Sequence, residues 1–436
     1  MKSNSDLIVQ KLKEVIFSET IIQEFKMNDS DFTRNRKQPF GFMVNFLKKS
    51  LIIEIDNYLN HVKFKLQDCS FKSFTSSAFV QKRKKINHTV FKFLSSVIID
   101  NYYIKSNKNI KFFEGFRLLA VDGSRTALPN SKELQETFGQ AKNQTEAIVV
   151  QGRVSILYDV LNHIVIDSVL SNLKIAEREL ALGHAEHWKP KDLIIYDRGY
   201  PSFNFKYQHT RKEIDYLMRV PVGYSKVVMA FVDSKKTSSK VTISPPAKHN
   251  YKDKDYTKTA TLKVRLVRVD LPCGEIEILF TSLLDSQQYP SSMFKELYFL
   301  RWGVETFYDQ LKNKLKLEHF TGYSASSVLQ DFYCSIFISN LQSVIVNDLQ
   351  AELDEKSEGK MYRQKVNTNL SYGFLKNRVL ELLWKDIPAT EIRRELKTLF
   401  LKNTIPIRNG RNETRNRKKY QNRNKPKVTK NQRDAI

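Results

Sequence analysis

Cysteine is nearly missing from this chain of 436 residues: Cys69, Cys273 and Cys334 are an odd number, scattered without CxxC or Cys/His spacing. That excludes a disulfide framework and a sulfur-ligated zinc site, and it fits a reducing compartment. Long apolar runs are missing too. No stretch approaches the roughly 18 apolar residues of a membrane span, and Met1 to Asp6 lacks the apolar core of a signal peptide. The expectation is a soluble cytoplasmic chain with no membrane partner. Acidic residues are in deficit, 47 against 72 Lys and Arg, for a formal net charge of +25. An excess of this size suits a polyanion, because binding to a phosphate backbone releases condensed counterions. Nucleic acid is therefore the leading partner. Net charge alone says nothing about geometry.

At roughly 150 residues per domain the length predicts two to four units, and no internal repeat is visible. Residues 1–110 read as helices, with apolar residues three to four apart in Leu7 to Phe17, Phe42 to Leu59 and Val90 to Ile99. Basic clusters interrupt them at Arg34, Arg36 and Lys37 and again at Lys82 to Lys85. The segment holds 19 Lys and Arg against 10 Asp and Glu, which suits either a module lying along DNA or a solvated surface.

From Phe116 the pattern changes. Arg117 to Val121 reads as a short buried strand stopping at Asp122-Gly123, then come strands over Ile148 to Tyr158 and His163 to Leu170 and a helix over Ala176 to Trp188. Asp192 to Tyr196 is a second apolar strand ending on Asp197 with Gly199 close behind. A helix from Ser202 to Ile214 leads to a strand over Tyr216 to Pro221. Residues 222–287 alternate, notably Thr261 to Val269 and Glu275 to Thr281, and read as an inserted antiparallel subdomain. Helices follow over Val328 to Asp348, Phe374 to Leu383 and Ile392 to Leu401. Residues 408–436 carry 11 Lys and Arg, two acids and no large aliphatic cluster, the composition of a disordered basic tail.

Tyr298, Arg301, Glu305 and Lys312 follow one another at helical spacing, within roughly 60° around an α-helix. Leu300, Val304, Phe307 and Leu311 form a separate apolar stripe. The ordinary reading is a solvated helix with Arg301 and Glu305 as an i,i+4 ion pair. Asp122 and Asp197, taken singly, are ordinary turn formers. Together with Glu305 they make three carboxylates, two of them at strand ends, whose repulsion divalent cations would relieve. Hard oxygen donors suit Mg²⁺, with Mn²⁺ as a substitute, and two such ions serve phosphodiester chemistry.

At these residues the chain resembles the DDE transposases of bacterial insertion sequences with the Y-(2)-R-(3)-E-(6)-K signature. Tyr298, Arg301, Glu305 and Lys312 fit it without a gap, and Asp122 and Asp197 match its two Asp positions. Phe32 to Lys37 and Ile405 to Arg411 also look like family segments. The resemblance implies an α/β fold: a ribonuclease H-like catalytic domain with a β-rich insertion subdomain, a helical N-terminal DNA-binding region and a helical C-terminal region. The expected boundaries are 1–110, 111–221 and 288–325 for the core, 222–287 for the insertion, 326–407, and 408–436 for the tail. It implies that Asp122, Asp197 and Glu305 hold two Mg²⁺, and that Tyr298, Arg301 and Lys312 contact DNA phosphates. Arg forks onto phosphate, Lys acts as a point charge and a phenol donates one hydrogen bond.

The implied partners are double-stranded DNA, as terminal inverted repeats and target, and a second copy in a homodimer on DNA, with a nucleoid-associated location in a bacterial cytoplasm. Arg198, Tyr200, Trp302, Arg34, Arg36 and Lys37 are further DNA candidates, though Trp302, Arg198 and Tyr200 fit packing roles equally or better. His184 and His187 have a metal-like spacing but no third ligand. No Trp lies between Trp188 and Trp302, and Phe280 is the nearest aromatic for trapping a flipped base, so a hairpin route finds no support there. Two alternatives stand beside transposition: a nuclease without strand transfer and a catalytically silent DNA-binding regulator.

Overall fold

The computed structural model of the chain describes residues 3–33, 40–47, 75–142, 148–246, 255–271, 274–384 and 387–408. Arg34, Arg36, Lys37 and most of the basic tail lie outside the described residues. The chain divides into two compact units, one from 1–110, 125–152 and 309–436, the other from 111–124 and 153–308.

The second unit is built on a mixed sheet. Its strands run β1 (Arg117–Ala127), β3 (Ile148–Asp159), β4 (Ile164–Ser171), β5 (Asp192–Tyr196), β6 (Asp215–Val220), β7 (Ser238–Ile243), β8 (Leu262–Asp270) and β9 (Ile276–Thr281); between β1 and β3, within the first unit, a short β2 (Gln140–Lys142) pairs with the start of β3. Their order is β4-β3-β1-β5-β6-β9-β8-β7. β1, β5 and β6 are parallel, and β5 is buried at every position. Continuous apolar runs such as Leu193-Ile-Ile-Tyr196 belong in such strands because both faces are covered. The helix Phe203–Arg211 makes the β5 to β6 crossover, started by Ser202, whose hydroxyl accepts from the Phe205 N–H at 3.1 Å.

Three sequence expectations change here. β1 does not stop at Asp122 but runs through Gly123 to Ala127; only its pairing with β5 ends at Val121. The inserted strands do not stand apart as a subdomain: β9 pairs antiparallel with β6, Met218 opposite Phe280, and β8 and β7 extend the same sheet. Without β9, β6 would expose a row of unpaired backbone groups. The insertion also contains a helix, Lys226–Asp233, which its β-branched residues concealed.

The first unit gathers the N-terminal and C-terminal helices into one body. The helix Thr89–Tyr102 packs along the 23-residue helix Ala325–Asn347, and Asn4–Ile16 lies against both. A buried cation ties a further helix, Ser76–Arg83, to Ala325–Asn347: Arg83 donates to Gln330 at 2.6 Å and to Asp331 at 2.6 Å. Phe374 to Leu383 is split into two helices, Thr368–Lys376 and Val379–Leu383.

Candidate active site

Parallel pairing of β1 with β5 puts Arg117 opposite Asp192 and Val121 opposite Tyr196, so Asp122 and Asp197 follow side by side on neighbouring chains. The register is pinned at its far end, where the Arg117 guanidinium forks onto both carboxylate oxygens of Asp192 at 2.7 Å, with both side chains buried. The third carboxylate comes from further along the chain. Tyr298 is the last residue but one of the helix Met293–Phe299, Leu300 and Arg301 form a turn, and Glu305 lies in the helix Trp302–Asn313. The single helix predicted from Tyr298 to Lys312 is therefore two. The break is a tight one, with i+3 hydrogen bonds from Arg301 N–H to Tyr298 O at 3.1 Å and from Gly303 N–H to Leu300 O at 2.9 Å. A Cβ on Gly303 would come within 3.3 Å of the Val160 side chain, so a small residue lets this helix sit close to the β3 to β4 turn.

Asp122 feels the other two carboxylates. Burial pushes the Asp122 carboxyl up to about 6, and the charges of Glu305 and Asp197 act in the same direction, against the Gly123 N–H and Arg301. The Tyr298 hydroxyl donates to Asp197 Oδ1 at 3.3 Å, and Arg301 donates to Glu305 Oε1 at 2.7 Å. The i,i+4 ion pair of the ordinary reading is thus present, but Arg301 is buried rather than solvated. Its guanidinium lies over the rings of Tyr298 and Trp302, and its Nε has no hydrogen-bond partner. Lys312 falls in the first unit, where its ammonium donates to the Arg125 carbonyl at 2.8 Å. Arg198 is exposed, Trp302 is 42% exposed and Tyr200 is buried.

Two contributors escaped sequence reasoning. Tyr308 donates to the Asp122 carbonyl at 2.9 Å, holding the backbone that carries the first Asp. Its position three residues after Glu305, on the same helical face, was the available signal. Glu177 is a fourth carboxylate: a Cβ on residue 123 would lie 3.1 Å from its Cγ, so Gly123 is what lets it approach. It stands near Arg153, at 3.5 Å. No local sequence signal marks it.

Hard oxygen donors that repel one another fit a divalent cation. Tyr298 and Arg301 now occupy two of the acids, and among the described residues no three His, Cys, Asp or Glu groups stand close enough to chelate one ion as placed. The histidine pair belongs elsewhere. His184 bridges Ser155 at 2.9 Å and Asp167 at 2.7 Å, and His187 approaches Asp167 at 3.7 Å. His184 and Ser155 are fully enclosed, so this Ser-His-Asp array ties β3, β4 and the following turn together.

Phe280 is buried beneath the ammonium of Lys206, 4.7 Å from its ring centre, and offers no open face to a base. Lys206 is itself buried, with the Tyr224 hydroxyl at 3.4 Å, and burial together with the Arg178 charge lowers it to about 7. The unfolded chain, with an ordinary lysine near 10.5, then binds more protons than the folded one between about pH 7 and 10.5, so stability rises with pH across that window. Below pH 7 the full cost of the buried charge is present. Lys206→Met should raise stability by roughly 2–4 kcal/mol at pH 6 and by less at pH 10. Urea melts at the two pH values test this, and equal gains at both would refute it.

A family model described as the transposase DDE domain matches residues 86–341, more than half of the chain. The chain is 23% identical over 210 residues to the transposase InsG of insertion sequence element IS4 from Escherichia coli strain K12, a stretch covering 48% of this chain and 46% of that protein. The match thus spans about half the length of that relative. The piggyBac transposase, in a cryo-EM structure of its synaptic complex with hairpin DNA, aligns over 90% of this chain and 81% of its own with a TM-score of 0.43 and 10% identity. Among the described residues no helix is long and apolar enough to cross a membrane. With the family model lying across Asp122, Asp197 and Glu305, the chain belongs to the DDE transposases, and its likeness is to insertion-sequence transposases of the IS4 type.

Proposed function

We propose that this transposase binds the terminal inverted repeats of its element, cleaves the DNA by metal-dependent phosphodiester hydrolysis and joins the freed 3′-hydroxyl ends to target DNA. The observation that carries the reading is the convergence of three carboxylates: Asp122 and Asp197 follow the paired stretch of β1 and β5, Glu305 comes from a helix, and the charges of Asp197 and Glu305 both act on Asp122. DDE transposases generally use divalent metal ions. Asp122, Asp197 and Glu305 would hold two, Mg²⁺ or Mn²⁺ in its place. When bound, such ions supply an activated attacking oxygen and a stabilised leaving oxygen.

The chain's own groups prepare the site. Tyr298 and Arg301 orient Asp197 and Glu305, and Arg301 retains an unpartnered Nε for a phosphate oxygen. Burial raises the Tyr298 phenol, so it remains a donor at any working pH. Lys312 would reach DNA by exchanging its Arg125 carbonyl for a phosphate. The net charge of +25 supports a duplex partner, and the order β4-β3-β1-β5-β6 supports a ribonuclease H-like core. Uniting two ends calls for a dimer on DNA.

Incubating the protein with duplexes carrying the element's ends, a target plasmid and Mg²⁺ tests the reading. Nicked ends and joined products are expected. Cleavage without joining would leave a nuclease, and binding without cleavage a silent regulator.

A further inference from the structure

We propose that Tyr200 is a further catalytic residue of this site, its phenol donating a hydrogen bond to a non-bridging oxygen of the scissile phosphodiester. The proposal rests on the transposase reading above. Tyr200 stands three residues after Asp197 in a closed turn: its N–H donates to the Asp197 carbonyl at 3.2 Å, and Arg178 Nε holds the Gly199 carbonyl at 2.7 Å. The ring packs between Tyr196 and Phe205, with centroids 5.5 and 6.1 Å away, and the residue is 2% exposed.

A phenylalanine would fill that space equally well. Yet the chain places a hydroxyl there that is buried and has no hydrogen-bond partner within the protein. An orphaned buried donor costs roughly 1–3 kcal/mol, so the fold alone does not explain it. Its neighbourhood is that of the acids: its backbone is bonded to Asp197, and the charges of Asp122, Glu177, Asp197 and Arg301 act on it. A phenol is protonated at neutral pH, hence a donor. Arg301 Nε is a second buried donor without a partner beside the same acids. Two unsatisfied donors next to carboxylates that repel anions await an oxygen that arrives with its own countercharge. A phosphodiester held on divalent ions brings one. The phenol keeps its proton throughout, since it stabilises charge on the phosphorus oxygens and transfers nothing.

The test uses the full chain and a duplex carrying the element's end. Tyr200→Phe should melt at or above the wild-type temperature, bind the duplex with nearly unchanged affinity, and cleave in single turnover roughly 100-fold more slowly, the loss of one preorganised donor. Replacing the non-bridging oxygens of the scissile phosphate by sulfur, one stereoisomer at a time, weakens the acceptor. One isomer should slow the wild-type chain by a larger factor than it slows Tyr200→Phe. Wild-type cleavage by Tyr200→Phe, or sulfur effects equal in both proteins, would overturn the assignment. Asp197→Asn run in parallel separates the two levels: if it is inactive while Tyr200→Phe is unimpaired, only the role of Tyr200 fails, and if it cleaves normally, the transposase reading of the site fails first.

Discussion

Asp122→Asn, Asp197→Asn and Glu305→Gln should each lower DNA cleavage by a factor on the order of 10³ or more, about 4 kcal/mol of barrier. Each keeps the shape of its side chain and removes a negative charge that, on the proposed function, would hold divalent cations against a phosphate. Loss of folding is not the expected cause. Asp122 is half-buried and repelled by Glu305 and Asp197, so its amide relieves a strain the folded chain carries. In metal-free buffer Asp122→Asn should melt no lower than wild type while being inactive with Mg²⁺, the usual relation between an active site and stability. Single-turnover nicking and calorimetry on the same preparations measure both. An Asp122→Asn protein that nicks at the wild-type rate would remove that residue from the site.

Arg117→Met should cost roughly 3–5 kcal/mol of stability, because it strands the buried carboxylate of Asp192 without its partner. The fork between them is made by two 2.7 Å bonds, and Asp192 also accepts from the Lys189 N–H at 2.8 Å. Replacing both partners removes the orphan. Arg117→Met with Asp192→Leu should therefore regain most of the loss, since apolar pairs of similar volume substitute well for buried ions. The pair also sets which residues of β1 and β5 lie opposite each other, and hence that Asp122 stands beside Asp197. The single variant should accordingly lose cleavage at temperatures where it is still mostly folded. Urea melts of the three proteins decide the energetic claim, and a single-variant loss below about 1 kcal/mol would contradict it.

Residues that differ by composition and period were legible before any coordinates. Leu193 to Tyr196 is apolar throughout, and the structure gives it a strand buried at every position. The Val90 to Ile99 periodicity lies inside the helix Thr89–Tyr102. Asp122, Asp197 and Glu305 stood out because carboxylates at strand ends and on a patterned helix are chemically conspicuous. What stayed hidden had no local pattern. The Lys226–Asp233 helix is rich in valine, which reads as strand, and the turn at Leu300 and Arg301 breaks a stretch whose spacing is helical on both sides. β1 passes through an Asp-Gly pair that elsewhere would turn the chain.

The order of residues alone marked the candidate groups: three carboxylates, a phenol, a guanidinium and an ammonium, on a chain with 25 excess positive charges. It did so because residue type and helical spacing are local properties. Tertiary structure decided how those groups are used. It turned Arg301 inward onto Glu305, gave Tyr298 to Asp197, engaged Lys312 with a carbonyl, brought Tyr308 and Glu177 to the first Asp, and buried the Tyr200 hydroxyl without a partner. Those outcomes depend on strand register and on contacts between residues far apart in the chain, which no local pattern encodes.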